Sequence, residues 1–338
     1  MKVGVIGLGY WGPNLVRNFL GNREITKVYG CDQNLSRLQF INSKFPEVEL
    51  TENSDDLLNN KDIDIIAIAT PVATHYPLSL KALENGKHIW VEKPFTFTSK
   101  ESEDLIEISE KKNLKIFVDH TFIYTGAVRK IKEIIERGDL GNVLYYDSVR
   151  VNLGLFQNDV NVIWDLAAHD ISILIYLLKN EIKEIAAHGI ANYYNHENLA
   201  HINIYFDGNC FAHFHVNWTS PIKIRRVLIG GTKKMLVFDD LEYSEKIKIY
   251  DSSVTINSKE GVYDALVQYR IGDMYSPKVD QTEALSLGIK EFVNAIKENR
   301  QPLTNAYDGL RVVKILEAAD FSIKNKGKLV QIVDKIIN

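Results

Sequence analysis

A glycine-rich turn at the start of the chain constrains the fold more than any other feature of the sequence. Gly7-Leu8-Gly9-Tyr10-Trp11-Gly12 has the G-x-G-x-x-G spacing, follows a short apolar run and opens a helix-like pattern. In this context the first glycine permits a tight turn, the second admits a pyrophosphate, and the third lets the helix pack on the strand. The sequence therefore predicts a dinucleotide-binding βαβ unit.

Asp32 is placed to select the cofactor. It ends the second strand-like run, where a carboxylate accepts hydrogen bonds from a ribose diol. A carboxylate repels a 2′-phosphate, so we expect NAD rather than NADP. Arg37 keeps the NADP alternative open, because a guanidinium can pair with that phosphate.

Strand-like and helix-like patterns alternate through the first 120 residues. The strand-like runs are rich in valine and isoleucine and apolar nearly throughout, as strands buried on both faces are: residues 2–7, 27–32, 63–70, 88–93 and 115–120. A helical pattern over 98–112 begins with a capping box formed by Thr98 and Glu101. The alternation predicts a doubly wound parallel sheet, the Rossmann fold, in an α/β domain over residues 1–123.

The pattern changes after Tyr124. Alternating runs such as 200–206 predict antiparallel strands, and the glycines at 230–231 predict a hairpin turn. Helical patterns accompany them over residues 127–137, 165–178, 282–298 and 307–324. We therefore expect residues 124–338 to form an α+β domain with a large, mostly antiparallel, open-faced sheet.

Composition narrows the class of protein. The net charge is −4 and the basic residues are scattered, so nucleic acid is not expected as a partner. No apolar run approaches the ~18 residues of a membrane span, and the start lacks signal-peptide features, so we expect no membrane partner and a cytoplasmic location. Cys31 and Cys210 are isolated in apolar runs, which predicts buried thiols rather than a disulfide or metal site.

Lys93 is a candidate catalytic residue. It ends the fifth strand-like run, so it is expected at the carboxyl edge of the sheet, where ligands bind. A lysine beside a positively charged nicotinamide has its charged form disfavoured, which suits a proton carrier. The alternative is a surface lysine before the turn at Pro94. The segment from Thr70 to His75 ends the preceding run and predicts a second cofactor contact, or simply a turn in which Thr74 caps a helix.

Asp165 and His169 are four residues apart, which places them on one face of a helix. Asp165 can orient the imidazole, as carboxylates do for catalytic histidines. It can equally be the N-cap of this helix, with His169 structural. Asp170 must face elsewhere and is a candidate structural partner. Metal binding has little support, because no third ligand accompanies the pair.

The glycine turn, Glu92-Lys93-Pro94 and Asp165-x-x-x-His169 together resemble the Gfo/Idh/MocA oxidoreductases, over essentially the whole chain. The resemblance implies a Rossmann domain followed by a domain whose open sheet often mediates assembly, so we expect a homodimer or homotetramer. It implies hydride transfer between a nicotinamide and a hydroxyl carbon of a sugar or cyclitol. Lys93 would handle the proton, with His169 as base or acid and Asp165 as its companion.

A narrower similarity concerns the substrate. Residues 150–157 and 159–166 resemble members found with sugar-nucleotide biosynthesis, the UDP-N-acetylglucosamine 3-dehydrogenases in particular. Arg150, Lys223, Arg225 and Arg226 would supply cations for a diphosphate. On an alternating strand Arg225 and Arg226 point to opposite faces, so at most one meets the ligand. The alternative is that these four cations are ordinary surface charges that bind no ligand.

These considerations give the predicted site, between the two domains. The catalytic residues are Lys93, His169 and Asp165. The cofactor-binding residues are Gly7, Gly9, Tyr10, Trp11, Gly12, Asp32, Arg37, Thr70, Pro71, His75, Glu92, Lys93 and His120. The substrate-binding residues are Lys93, Arg150, Asn152, Trp164, Asp165, His169 and Arg225. No metal is expected.

The predicted function is an NAD-dependent dehydrogenase acting at C3 of a UDP-N-acetylglucosamine-type nucleotide sugar. A dehydrogenase of a free sugar, inositol or other cyclitol is the first alternative. A regulator that binds dinucleotide without turnover is the second. The presence of Lys93, Asp165 and His169 argues against the regulator, which would have no need of them.

Overall fold

The computed structural model describes residues 1–154, 156, 159–193, 195–256 and 267–332. Leu155 and Gln157, in the segment that resembles nucleotide-sugar enzymes, lie outside the described residues. The chain forms two compact units. The first contains Met1–Tyr124 and Thr282–Glu317, and the second contains Thr125–Gln281 and Ala318–Asn338.

The first unit is built on a six-stranded parallel sheet, which confirms the predicted doubly wound Rossmann fold. Its strands are Lys2–Ile6 (β1), Lys27–Cys31 (β2), Glu49–Thr51 (β3), Ile65–Ile68 (β4), His88–Glu92 (β5) and Ile116–Asp119 (β6). They are ordered β3-β2-β1-β4-β5-β6. The sequence pattern does not predict β3, because three residues at the sheet edge form no apolar run.

Five helices follow these strands in the first 124 residues. They are Gly12–Leu20 (α1), Leu35–Lys44 (α2), Ser54–Leu58 (α3), His75–Glu84 (α4) and Ser99–Lys111 (α5), with short 3₁₀ turns at Val72–Thr74 and Thr121–Tyr124. The predicted capping box on α5 is confirmed: Thr98 Oγ1 accepts from the Glu101 amide, and the Glu101 carboxylate accepts from the Thr98 amide.

The first unit also contains a late segment of the chain. The predicted division assigns everything after residue 123 to the second domain, whereas the structure groups Thr282–Glu317 with the first unit. The reason is aromatic packing: Phe292 contacts Trp90 and Phe117, the latter two stacked with ring centroids 3.9 Å apart. Helical periodicity alone does not reveal which sheet an apolar helix face covers.

The second unit contains a nine-stranded sheet with helices. The helical segments that follow Thr125 are Gly126–Glu136 (α6), a π-helical turn at Ile163–Ala167, Ala168–Leu177 (α7), Ala284–Lys297 (α8) and Ala306–Lys324 (α9). Of these, α8 and most of α9 belong to the first unit. The strands are Val143–Leu153 (β7), Ile182–Ile190 (β8), Leu199–Phe206 (β9), Phe211–Asn217 (β10), Thr219–Gly231 (β11), Met235–Asp239 (β12), Ile247–Ile256 (β13), Val267–Tyr275 (β14) and Val330–Gln331 (β15).

Their order is β14-β13-β12-β11-β7-β10-β9-β8-β15, and all pairs except β7 with β10 are antiparallel. The predicted antiparallel sheet and the hairpin between β11 and β12 are therefore confirmed. On β7 the even-numbered Tyr146, Ser148 and Arg150 are buried, while Tyr145 and Asp147 are only half-buried. This period of two gives one packed face and one open face. None of the helices that the structure describes is long and apolar enough to cross a membrane.

Candidate functional site

The glycine-rich turn has the backbone geometry that the sequence predicts. Gly7 adopts φ +94°, and a Cβ there would lie 2.5 Å from the carbonyl oxygen of Ala69. A Cβ on Gly12 would lie 2.3 Å from the carbonyl oxygen of Gly7. A Cβ on Gly9 would come no closer than 3.7 Å to its nearest neighbour, the Arg37 guanidinium. Gly7 and Gly12 are thus required by the turn itself, whereas Gly9 leaves its outer side open to a ligand.

The start of α1 completes this cradle. Its N-cap is Trp11, which makes no side-chain capping bond. Pro13 has no amide proton and the Asn14 amide donates to the carbonyl oxygen of Trp11, so the Gly12 amide is left at this helix start for an anion. Tyr10 is 87% exposed and Trp11 is 41% exposed, and their rings meet edge to face with centroids 5.7 Å apart. Both predicted cofactor contacts therefore lie at the surface of the turn.

Asp32 binds the turn from the end of β2. Its Oδ2 accepts from the Leu8 amide and its Oδ1 from the Asn34 amide, both at 2.8 Å. Arg37 Nη1, on a half-exposed side chain, donates to both oxygens and lies 3.2 Å from Oδ2 and 3.5 Å from Oδ1. These contacts hold the carboxylate beside the glycine turn.

A second turn, after β4, is held by His75. This buried imidazole places Nδ1 2.8 Å from the carbonyl oxygen of Pro94 and Nε2 2.9 Å from that of Thr70. Burial lowers the pKa of His75. The ring, which was predicted to bind the cofactor, has its two nitrogens against these carbonyl oxygens and so lies between the Thr70-Pro71 turn and the Lys93-Pro94 turn. Thr74 is the N-cap residue of α4, as the alternative predicts, but its side chain makes no capping bond, because its hydroxyl donates to the carbonyl oxygen of Pro71.

Lys93 follows β5 directly and lies beside a buried acidic pair. Glu92 and Asp119 end the neighbouring strands β5 and β6 in register, and they are 9% and 2% exposed. Burial, reinforced by Asp119, raises the pKa of Glu92 well above its usual range. Burial also raises the pKa of Asp119, to about 6. Sequence reasoning missed Asp119, although the parallel pairing of the two run ends could have pointed to it.

His120 follows Asp119 and is also buried, at 1% exposure. Burial, together with the charge of Lys93, lowers the pKa of His120 to about 3, so the ring is neutral at physiological pH. Among the residues that the structure describes, neither ring nitrogen has a hydrogen-bond partner. A buried imidazole of this kind fits a site that contacts a polar ligand.

In the second unit, Asp165 lies inside the π-helical turn and is not an N-cap, which corrects that alternative. The turn is held by Asn161, whose Oδ1 accepts from the amides of Ile163 and Trp164. Asp320 accepts from Asn161 Nδ2 at 2.8 Å and from the indole of Trp164 at 2.7 Å. Short π-helical segments are frequent at functional sites, and the sequence carries no pattern that predicts this one.

Asp165 and His169 lie on consecutive helical segments. Asp165 Oδ2 accepts from the indole of Trp218 at 3.0 Å, a partner that the sequence did not suggest. His169 belongs to the first turn of α7, and its carbonyl oxygen accepts from Ser172 at 2.6 Å. Lys93 is part of the first unit and His169 part of the second.

The predicted phosphate-binding cations have other partners. Arg150 is buried and donates two hydrogen bonds to Asp170, so it cannot act as a surface cation for a diphosphate. Arg225 donates to Asp240 and Arg226 to Asp239. Asn152, half-buried, is near the end of β7, and Lys223 is exposed on β11. Within the described ranges no three histidine, cysteine or acidic side chains are grouped to hold a metal ion.

Two family models match this chain, one in the first unit and one in the second. A family model described as "Oxidoreductase family, NAD-binding Rossmann fold" matches residues 1–120, and one described as "GFO/IDH/MocA C-terminal domain" matches residues 128–237. Among curated proteins, scyllo-inositol 2-dehydrogenase (NADP(+)) IolW of Bacillus subtilis is 24% identical, over 96% of this chain and 94% of its own.

UDP-N-acetylglucosamine 3-dehydrogenase of Acidithiobacillus ferrooxidans is also 24% identical, over 93% of this chain and 94% of its own. Its solved structure superposes with a TM-score of 0.77 at 22% identity and covers 96% of this chain and 98% of that one. Levoglucosan dehydrogenase in complex with NADH reaches a TM-score of 0.82 at 19% identity and covers 98% of each chain.

Proposed function

We propose that this protein is an NAD-dependent dehydrogenase of a sugar-like hydroxyl, because the chain belongs to the GFO/IDH/MocA family of oxidoreductases. One structural observation supports the catalytic part of the proposal. Lys93 follows β5, Thr70 follows β4 and the glycine turn follows β1, all at the same carboxyl edge of the parallel sheet. Ligands of doubly wound sheets bind at that edge.

The residues present fit a dinucleotide. The turn between Gly7 and Gly12 would hold the pyrophosphate at the start of α1, and Asp32 would accept from the adenosine ribose. The carboxylate of Asp32 favours NAD, while its contact with Arg37 keeps that guanidinium near the same position. When bound, the nicotinamide accepts or returns a hydride at C4.

The chain's own residues would manage the proton. In our proposal Lys93 donates a hydrogen bond to the substrate oxygen and stabilises the negative charge that develops there. His169 takes the hydroxyl proton as the hydride leaves the same carbon. Asp165, held by Trp218, supports the segment that carries His169. Positioned acid–base groups typically contribute 10²–10⁴-fold to the rate, which is about the loss expected when either is removed.

Two substrate classes follow from the relatives. A nucleotide sugar of the UDP-N-acetylglucosamine type, oxidised at C3, is our first choice because the similarity in segments 150–157 and 159–166 favours it. A free cyclitol or sugar is the second candidate. It is favoured by one specific observation: the Arg150–Asp170 pair removes a cation that a diphosphate would have used.

The test is turnover with a panel of substrates. NADH formation at saturating NAD would be followed for UDP-N-acetylglucosamine, other UDP-sugars, free sugars and inositols. We expect Lys93→Met and His169→Ala to lower kcat by about 100-fold or more, with the fold intact by circular dichroism. Lys100→Met, which alters only a surface pair with Asp104, is the matched control. Wild-type turnover in both site variants would contradict the proposed mechanism.

A further inference from the structure

Glu92 and Asp119, the acidic pair beside Lys93, are buried next to each other, where two ionised carboxylates would repel. Glu92 and Asp119 are register partners on adjacent parallel strands, both in the core of the first unit. Glu92 Oε1 and Asp119 Oδ2 are buried, and neither has a hydrogen-bond donor among the described residues. Two buried, adjacent anions without a donor between them cost several kcal/mol.

A single proton would give both oxygens a hydrogen-bond partner, because the protonated carboxyl would donate to the ionised one. The surroundings decide where the proton lies. Asp119 Oδ1 accepts from the Thr121 hydroxyl at 2.6 Å. This donor stabilises a negative charge on Asp119, and burial together with Asp119 raises the pKa of Glu92, so the proton lies on Glu92.

We propose that Glu92 and Asp119 share one proton, and that the resulting buried monoanion is the counter-charge that positions the ammonium of Lys93. This inference rests on the proposed function for its catalytic meaning. Lys93 acts electrostatically on both carboxyls of the pair, and Tyr124 is affected by Asp119 and by Glu291 of α8. His120 follows Asp119 in the chain and is neutral at physiological pH, because burial lowers its pKa to about 3. The positive charge that acts on the pair is therefore that of Lys93.

The monoanion matters for the reaction. A bound nicotinamide would take up the hydride, and the proton of the substrate hydroxyl would pass to the protein. The single negative charge beside Lys93 compensates the charge of its ammonium group and holds the side chain in place. Glu92 and Asp119 are positioning residues here, because they act through Lys93.

Infrared spectroscopy tests the shared proton directly. At pH 7.5 we expect the wild-type protein to show the carbonyl stretch of a buried, protonated carboxylic acid. The band should disappear in Glu92→Gln, which keeps a hydrogen-bond donor for Asp119. It should remain in Asp119→Asn, because burial is the main cause that keeps Glu92 protonated. Asp308→Asn is the matched control, because it removes another acid of the same unit while leaving the band in place. Absence of the band from the wild type, or its persistence in Glu92→Gln, overturns the shared proton.

Acylation of Lys93, followed by peptide mass spectrometry, tests the counter-charge. Only the neutral amine reacts, so the rate reports how strongly the ammonium is stabilised. With the single charge of the pair on Asp119, Glu92→Gln keeps that charge, and its labelling rate stays within about twofold of wild type. Asp119→Asn and the double variant lose the charge and label about tenfold faster. Equal increases in Glu92→Gln and Asp119→Asn would mean that both carboxylates are ionised, which overturns the proposal.

Neither measurement depends on turnover, so the outcome is separate from that of the proposed function. If no substrate in the panel is oxidised, the proposed function fails while the band and the labelling rates still report on the pair. If turnover is found and the double variant labels like wild type, the counter-charge role fails and the function stands.

Discussion

Arg150 and Asp170 form a buried ion pair with two parallel hydrogen bonds. Nε of Arg150 lies 2.9 Å from Oδ2 of Asp170, and Nη2 lies 2.7 Å from Oδ1. The side chains are 5% and 4% exposed. The pair joins β7 to α7, the helix that carries His169. Arg150 therefore serves the packing of the second unit, and the sequence-based assignment of a phosphate-binding role was wrong.

Removing one partner of this ion pair should lower stability more than removing both. Removing one partner leaves the other charge uncompensated, so we expect Arg150→Met to lower the free energy of unfolding by about 3–5 kcal/mol. The double variant Arg150→Met with Asp170→Leu should recover most of that loss, because no charge remains buried. Urea titration of the three proteins measures both effects. Equal losses in the single and double variants would mean that the pair is not the source.

The glycines of the turn should separate stability from cofactor binding. Gly12→Ala places a methyl group 2.3 Å from the carbonyl oxygen of Gly7, and we expect a loss of about 1–3 kcal/mol in unfolding free energy. Gly9→Ala meets only ordinary contacts and should change stability by less than about 0.5 kcal/mol. Because its methyl group points to the ligand side, we expect NADH affinity to fall about tenfold. Thermal melts and fluorescence titration with NADH distinguish the two; unchanged affinity in Gly9→Ala would contradict the proposed pyrophosphate position.

Asp32 should control the choice between NAD and NADP. Asp32→Ser removes the negative charge that opposes a 2′-phosphate, so the ratio of kcat/KM for NADP to that for NAD should rise by about tenfold or more. Arg37→Ala in the same background should reverse the gain, since its guanidinium would pair with the phosphate. Asp32→Ser also loses two backbone hydrogen bonds, so the ratio rather than either activity is the readout. An unchanged ratio would contradict the role of Asp32.

Asp308 should make stability fall as pH rises through mildly acidic values. Burial raises the pKa of this carboxyl from its usual 3.8 to about 6. Between those values the unfolded chain loses its proton while the folded chain keeps it, so the free energy of unfolding falls with rising pH. The shift corresponds to about 3 kcal/mol, reduced to about 2 kcal/mol because the side chain is partly exposed.

Asp308→Asn removes this titration. The stability of the variant relative to wild type should therefore increase between pH 4 and pH 6 and stay constant above, in urea titrations at each pH. The comparison cancels the other groups that titrate in this range. A difference that does not vary with pH would show that Asp308 titrates normally.

Local sequence patterns were sufficient to predict many structural features of this protein. Valine- and isoleucine-rich runs predicted five of the six strands of the Rossmann sheet, all except β3, because a strand buried on both faces has no polar side to interrupt it. The glycine spacing predicted the turn, since backbone φ and close approach are properties of single residues. The order of the three motifs was enough to identify the family.

What the sequence alone could not determine concerns partners that are distant in the chain. The ion pair of Arg150 with Asp170, the bond from Trp218 to Asp165, and the pairing of Glu92 with Asp119 depend on which elements become neighbours. The packing of Thr282–Glu317 in the first unit also depends on residues that are distant in the chain. The sequence by itself therefore determined the elements, the turn and the candidate residues. Only the tertiary structure decided which charges are buried together, because desolvation and pairing arise from packing between elements rather than from spacing within one.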